Sequence, residues 1–478
     1  MIPTLKSCAC LLLFINSWIT STPADFLSGG KLEEKIDQYI LSKLKNSAIP
    51  GLALAIVRHD QVIMQKGYGI TSDGLSITPQ TPFAIASLSK SFTALAVMQL
   101  VESGKIKLDE RVNSYYPDFP ISKPVITVRQ LLNQTSGLSD KVFPEMEFYQ
   151  QPTSLDASIQ RLHAVRLPQL HPGTFHYHNP NYQILARIVE LVSGKDFRLY
   201  LKQNILDPLG MSHTRSLGLT SDFYTESGGN LPSGYNFFLR IPIRKKEMEW
   251  FVQGSAGMIS NAQDMARWLG LFLNQGTYGQ KSLLSEQYLS QMFAVQDGSY
   301  GMGWVVNGDS TAHHSGILWT YQAEQILFPE EDYGIVLLFN SGLNAFQDYS
   351  SFRQGLVDII RGHSPEPIWP VDLLLESAIG LFIILACYFG VKAINNPKKW
   401  EREDRLAISV KVLLKIMPIV ALFSLPGMLY LLSGRVLNWE RVFWIMPSVV
   451  VWLAVQSLLN TIVILRRLNY QKRESPIV

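Results

Sequence analysis

Residues 84–92 read AIASLSKSF and place Lys90 three positions after Ser87. A serine hydroxyl is a poor nucleophile until a neighbouring base takes its proton. On a helix, Lys90 stands one turn beyond Ser87 on the same face, and burial favours the neutral amine that can serve as that base. Spacing alone carries little weight, because Ser42 and Lys45 repeat it in a stretch that reads as an exposed helical face. Ser87 differs in its surroundings along the chain: Phe92, Leu95, Ala96, Met98 and Leu100, just beyond it, make a strongly apolar helix. The start of such a helix offers N–H groups and a positive dipole end to a developing oxyanion.

Two distant segments could join this pair. FHYHNPNY holds Tyr177 and Asn179, which alternation in an extended loop directs to one side. Taken singly, Tyr177 reads as a core aromatic with a satisfied hydroxyl and Asn179, before Pro180, as a turn residue. HHSG holds His314, Ser315 and Gly316 on a strand whose edge can bind a substrate backbone. His176 with His178, and His313 with His314, invite a comparison with metal sites. No His-Glu-x-x-His run or carboxylate–histidine cluster accompanies them, so neither a metal nor another cofactor is expected. There is no G-x-S-x-G elbow, and Gly308-Asp309-Ser310 is explained by a hairpin turn.

The elements that must bring these segments together are legible in outline. Leu32, Ile36, Tyr39, Ile40 and Leu44 predict a helix from Lys31 that ends at Asn46 and Pro50-Gly51. GLALAIVRHDQVIMQKGYG reads as two strands about a turn at His59-Asp60. A second strand cluster covers YGMGWVVNGDSTAHHSG, with a turn at Asn307-Gly308, and YQAEQILFPEEDYGIVLLFN. A last helix is expected over about Asn344–Gly362. Residues 85–290 between the clusters are mostly helical or loop, so strands from both ends form one antiparallel sheet beside a helical lobe.

The 478-residue chain is 47% hydrophobic, high for a wholly soluble protein. Lys6 and the run Cys8–Ile19, followed by Thr22-Pro23-Ala24, predict a secretory signal over residues 1–24. Residues 25–365 form the exported domain and 366–478 a membrane domain, with spans near 373–391, 416–432 and 442–465. Lys398, Lys399, Arg402, Arg405 and Lys411 after the first span, and Arg466, Arg467, Lys472 and Arg473 in the tail, place both segments in the cytoplasm; Arg435 and Arg441 are the only basic residues of the opposite loop. A plain anchor is the simplest role for these spans. Cys8, Cys10 and Cys387 all fall outside the exported domain, which excludes disulfides and thiolate chemistry there. A net charge of +3 without a basic stripe gives no reason to expect nucleic acid as a partner.

Together Ser87…Lys90, Tyr177…Asn179 and His314…Gly316 resemble, in order and separation, the three motifs of the serine β-lactamase and penicillin-binding-protein superfamily, class C-like branch. ITVRQLLNQTSGL, DPLGMSHT, SAGMISNAQDMARWL and YGMGW add to the resemblance. It implies the β-lactamase/transpeptidase-like α+β fold, an antiparallel sheet flanked by terminal helices plus a helical lobe, and an acyl-enzyme formed on Ser87. It further implies proton exchange through Lys90 and Tyr177, Asn179 bonded to Lys90 or the substrate amide, and an oxyanion hole from the N–H groups of Ser87 and Ile317. His314, Ser315, Gly316 and Ile317 line the substrate strand in this reading. His314 stands where penicillin-recognising members usually carry lysine, so a neutral ring replaces a fixed charge for a substrate carboxylate. The three spans add a resemblance to the Flp-like proteins and to the membrane peptidases of the colibactin-maturation type. Those peptidases carry serine where this chain has Asn179, so their substrate does not carry over.

The expected function is therefore a membrane-anchored serine hydrolase at the outer face of a bacterial cytoplasmic membrane, acting on a peptide or amide, with D-residues as the preference that the resemblance implies. A class C-like β-lactamase or esterase, and a non-catalytic penicillin-binding-like envelope protein, stand as alternatives. The sequence leaves the oligomeric state open.

Overall fold

The computed structural model describes residues 32–121, 125–141, 144–145, 150–164, 171–225, 227, 230–367, 369–400 and 404–474. The expected signal over residues 1–24 lies outside these residues.

Gly51–Arg58 (β1) is apolar at nearly every position and buried along its length except at Arg58, the pattern of a strand covered on both faces. Gln61–Gly69 (β2) alternates more freely and forms an exposed edge. Far along the chain come Val305–Val306 (β3), Ala312–Ile317 (β4), Gln322–Phe328 (β5) and Tyr333–Phe339 (β6). They join in the order β3-β4-β5-β6-β1-β2, antiparallel throughout, with Leu52 opposite Phe339 at the seam between the two ends of the domain. The two strand clusters thus form the single sheet expected of them.

One turn differs from expectation. The β3–β4 connection is not a two-residue Asn307-Gly308 hairpin but the five residues Asn307–Thr311, with the left-handed conformation at Ser310. Side chains hold this longer loop: Asn307 Nδ2 donates to Thr311 Oγ1 at 2.8 Å, and Thr311 Oγ1 donates to Asp309 Oδ1 at 2.7 Å.

Ser89–Glu102 (α1) runs through the interior, buried from Ser89 to Met98 and again at Leu100. A helix apolar all round belongs inside a core rather than on a surface. Asn179–Ser193 (α2) packs on it, and Ala262–Leu273 (α3) joins it to the sheet through Phe92 stacked on Trp268 with ring centroids 3.6 Å apart. Such a pair contributes about 1 kcal/mol beyond its buried area. Gly303, within YGMGW, shows why that segment has no side chain there: its φ is +81°, and a Cβ would lie 2.7 Å from the Ser91 backbone.

The helices Leu32–Asn46 and Ser350–Ile360 form a separate compact unit. Tyr39 Oη donates to the Ser351 carbonyl at 2.7 Å. The second helix starts later than the expected Asn344, because the Asp348 carboxylate accepts the Ser351 N–H at 3.1 Å and fixes the first turn there.

Among the described residues three helices are long and apolar enough to cross a membrane: Val371–Ile394 (α4), Arg405–Ser433 (α5) and residues 447–470 of the last helix. The middle one, weakest in the sequence, begins about three turns before its expected apolar run because Asp404 caps it through Ala407 N at 2.6 Å. It continues through Pro418 and Pro426. The third run is divided. Trp439–Ile445 (α6) ends at Met446, and Pro447 opens Pro447–Glu474 (α7), as suits a residue with no N–H to donate. Asn460 Nδ2 donates to the Lys415 carbonyl at 3.0 Å and ties α7 to α5.

Candidate active site

Ser87 lies in a tight turn, Ala86–Leu88, immediately ahead of α1 rather than in its first turn. Ala86 has a φ of 48°, a conformation that costs a non-glycine residue about 1–3 kcal/mol. The surroundings hold it in place. Ser89 Oγ donates to the Ala86 carbonyl at 2.6 Å and accepts Met258 N–H at 3.1 Å, while Ile85 N–H reaches the Met258 carbonyl at 3.0 Å. The strand Met258–Ser260 thereby clamps the turn that presents Ser87.

Lys90 points from α1 into the same spot with a side chain fully removed from solvent. Its Nζ has three polar neighbours: Asn179 Oδ1 at 2.7 Å, the Ser255 carbonyl at 2.9 Å and Ser87 Oγ at 3.2 Å. A neutral amine has two N–H groups and one lone pair. In that form the two closer oxygens would take the two N–H groups and the lone pair would face the Ser87 hydroxyl. Burial, reinforced by the Arg435 charge and opposed by Glu145, holds the Lys90 pKa well below the usual lysine value. The lowered pKa and the 3.2 Å approach set the Lys90 amine against the Ser87 hydroxyl.

Tyr177 supplies the third group. Its ring lies 4.7 Å from Lys90 Nζ, and its hydroxyl is close enough to the Ser87 side chain for the serine to act to lower its pKa. Burial raises the Tyr177 pKa above the usual tyrosine value and outweighs that influence, so at neutral pH it is a phenol with a proton to give. Asn179 is the first residue of α2 rather than part of an extended loop, with His178 as the cap residue before it. Helix geometry, not strand alternation, turns Asn179 toward Lys90.

The strand β4 carries His314, Ser315, Gly316 and Ile317. His314 is buried, with Nε2 3.0 Å from Tyr300 Oη and Nδ1 2.8 Å from the Ser315 carbonyl. Burial and the nearby Lys90 lower its pKa to about 3, so the ring is neutral and carries no fixed charge. Ser315 Oγ donates to Glu324 Oε2 at 2.8 Å on the neighbouring strand. A Cβ on Gly316 would stand 2.3 Å from the Ile85 carbonyl, and this close approach brings β4 against the segment leading into Ser87. Ile317 is exposed at the end of the strand.

Sequence reasoning missed three residues around this group. Glu145 Oε1 accepts Asn179 Nδ2 at 2.7 Å, and Arg435 Nη1 reaches the same oxygen at 3.1 Å and Asp140 Oδ1 at 3.0 Å. His178 Nδ1 lies 2.9 Å from Asp140 Oδ1. Burial acts to raise the Asp140 pKa, but the His178 hydrogen bond and the Arg435 charge outweigh it and lower it. Donor atoms of Asp140, Glu145 and His178 lie within 4.8 Å of one another, a spacing that suits a cation. The guanidinium of Arg435 is the positive group placed among them. No spacing rule joins Arg435 to Asp140; only Gly434, a helix-ending signal after the second apolar run, marks where the chain turns back.

The family description named Beta-lactamase matches residues 36–355. The chain belongs to this family. Its members are serine hydrolases of the β-lactamase and penicillin-binding-protein type, and this chain carries their fold. Protein flp of Staphylococcus aureus is 28% identical over 441 residues, covering 87% of this chain and 86% of the relative, so the likeness continues into the apolar helices. Among solved structures, the octameric penicillin-binding protein homologue from Pyrococcus abyssi superposes with a TM-score of 0.61 at 24% identity, covering 73% of this chain and 81% of that one. EstCE1, a hydrolase with promiscuous acyltransferase activity, gives 0.59 at 21% identity, covering 69% of this chain and 98% of its own. At these identities both structures speak for the fold alone.

Proposed function

We propose that the chain is a membrane-anchored hydrolase working through a Ser87–Lys90–Tyr177 acyl-enzyme on peptide or amide substrates, with D-residues as the preferred class. The observation that carries this reading is the Lys90 amine: buried, with two acceptors for its N–H groups and its third side 3.2 Å from Ser87 Oγ. Lys90 takes the Ser87 proton as Oγ bonds to the substrate carbonyl carbon. The N–H groups of Ser87 and Ile317 hold the resulting oxyanion. Tyr177 gives its proton to the leaving nitrogen as the C–N bond breaks and recovers one from Lys90, leaving an ester on Ser87 and a neutral base. Water then attacks the ester and passes a proton to the same base, which returns it to Ser87 Oγ as the acyl C–O bond breaks and the acid leaves.

A neutral His314 argues against a substrate that must anchor a carboxylate on a fixed charge at this point of β4, and so favours amides and esters over β-lactams. The two basic clusters flanking the apolar helices support a hydrolase domain on the outer face of the membrane, where such substrates occur. The test uses the full-length protein in detergent, offered D-aminoacyl amides, D-Ala-D-Ala peptides, p-nitrophenyl esters and nitrocefin, with Ser87→Ala as the blank. Turnover of the D-amides that disappears in the blank is expected. Nitrocefin hydrolysis outrunning the amides would replace the peptidase reading by a β-lactamase one, and ester turnover alone would replace it by an esterase.

A further inference from the structure

Glu145, Asn179, Lys90 and Ser87 form one line of hydrogen-bonded side chains, and its far end is held by the membrane domain. Arg435 belongs to the loop between α5 and α6, the loop that the basic-residue pattern puts on the outer face. Gly434, with φ 68°, ends α5 and turns the chain so that Arg435 and Val436 meet the hydrolase domain. Val436 N–H donates to Asp140 Oδ2 at 3.1 Å, so the carboxyl is gripped by backbone as well as by the guanidinium. The Arg435 guanidinium also lies 5.6 Å from the Tyr177 ring centroid. The loop is docked, not grazing: Leu437, Val442 and Ile445 are buried in the main core, and Arg441, 4% exposed, lies over the rings of Trp250 and Trp319 at 5.8 and 5.5 Å. Ala345 N–H bonds the Ile445 carbonyl at 2.8 Å.

We propose that Arg435 is a positioning residue of the active site, supplied by the membrane domain, which fixes Asp140 and Glu145 so that Asn179 presents its carbonyl oxygen to Lys90. The inference rests on the Ser–Lys–Tyr reading above and adds to it that the apolar helices complete the site besides anchoring it. Asp140 and Glu145 side chains are 1% and 4% exposed, and two carboxyls so close in a dry site need a cation between them. Glu145 then holds the Asn179 amide by Nδ2, which fixes which end of that amide faces Lys90. The positive charge also acts on the base itself. The groups facing Lys90 are Ser87 from its own turn, Tyr177, Asn179 and Tyr182 from the α2 segment, the Ser255 carbonyl, neutral His314 from β4, Glu145, and the Arg435 charge. Of the two ions, Arg435 favours the neutral amine and Glu145 opposes it. Removing Arg435 takes away the first influence and unshields the second, and both changes push Lys90 toward its protonated form.

The experiment measures the pH dependence of Ser87 acylation by a fluorophosphonate probe in the full-length protein held in lipid nanodiscs, read by intact mass. Arg435→Gln is expected to move the acid limb about one pH unit upward, so that labelling at any pH below the wild-type limb slows by about tenfold. Arg435→Lys, which keeps the charge, is expected to bring the limb back toward wild type. A limb unmoved in folded Arg435→Gln, with wild-type protein labelled normally, overturns this inference and leaves the Ser–Lys–Tyr reading standing. Should Arg435→Gln fail to fold, Glu145→Gln carries the test: its limb is expected to move downward, and an unmoved limb again overturns the proposal. Wild-type protein that is not labelled at any pH overturns the hydrolase reading, and this inference falls with it.

Discussion

Among the described residues the same two residue types recur at the same spacing in two pairs, and the two pairs differ in burial. Ser42 and Lys45 lie on the helix Leu32–Asn46, where Lys45 is exposed. Ser87 and Lys90 lie at the head of α1, where Lys90 is fully buried and its Nζ donates to Asn179 Oδ1 and the Ser255 carbonyl. An ammonium in water keeps its proton at neutral pH, whereas one deprived of water and set beside another cation releases it. In the proposed mechanism reactivity is a property of the surroundings of the lysine rather than of the serine-to-lysine spacing.

Substitutions can undo that contrast, beginning with the strongest. Ser87→Ala is expected to lower turnover by at least about 10⁴-fold with the thermal unfolding midpoint retained, since in the proposed mechanism it removes the group that bonds to the substrate carbon. Retained turnover in a folded variant would remove Ser87 from the mechanism. Lys90→Ala and Tyr177→Phe are each expected to cost about a hundredfold or more in kcat/KM, measured by initial rates on the best substrate of the screen. The wild-type pH profile tests the same contrast without a substitution. Because the Lys90 pKa lies well below 10.5, its neutral form is present above that lowered value, and the rate falls about tenfold per unit as pH drops beneath it. An acid limb at the ordinary lysine value would mean that Lys90 is not the base. The smallest effect belongs to the other pair: Ser42→Ala and Lys45→Ala are expected to leave kcat/KM unchanged and stability within about 0.5 kcal/mol. A large loss of activity from either would dissolve the distinction between the two pairs.

Periodicity made the sheet and the core helix readable. β1 and β6 are short apolar runs bounded by turn residues, and α1 follows Ser87 as a continuous apolar stretch. The Ser87, Tyr177 and His314 segments were found because each pairs unusual residue types at short range. Details that depend on local side-chain bonds were not readable: the β3–β4 loop is longer than Asn307-Gly308 suggests because Asn307 and Thr311 bridge it. Asn179 approaches Lys90 as a helix residue because Pro180 can open a helix as readily as it can end a turn. Arg435 entered the sequence reading only as one of two weak topology markers. Its partners Asp140 and Glu145 lie far back in the chain, and no period or motif relates them.

The sequence by itself determined the fold, the three apolar helices and the identity of the paired residues that could react, because burial patterns and short spacings are written into consecutive positions. Only the tertiary structure decided which lysine loses its water, which asparagine atom it faces, and which arginine stands behind that asparagine. Those outcomes depend on charges and dipoles within a few ångströms of one another, contributed by segments that become neighbours only once the core has closed.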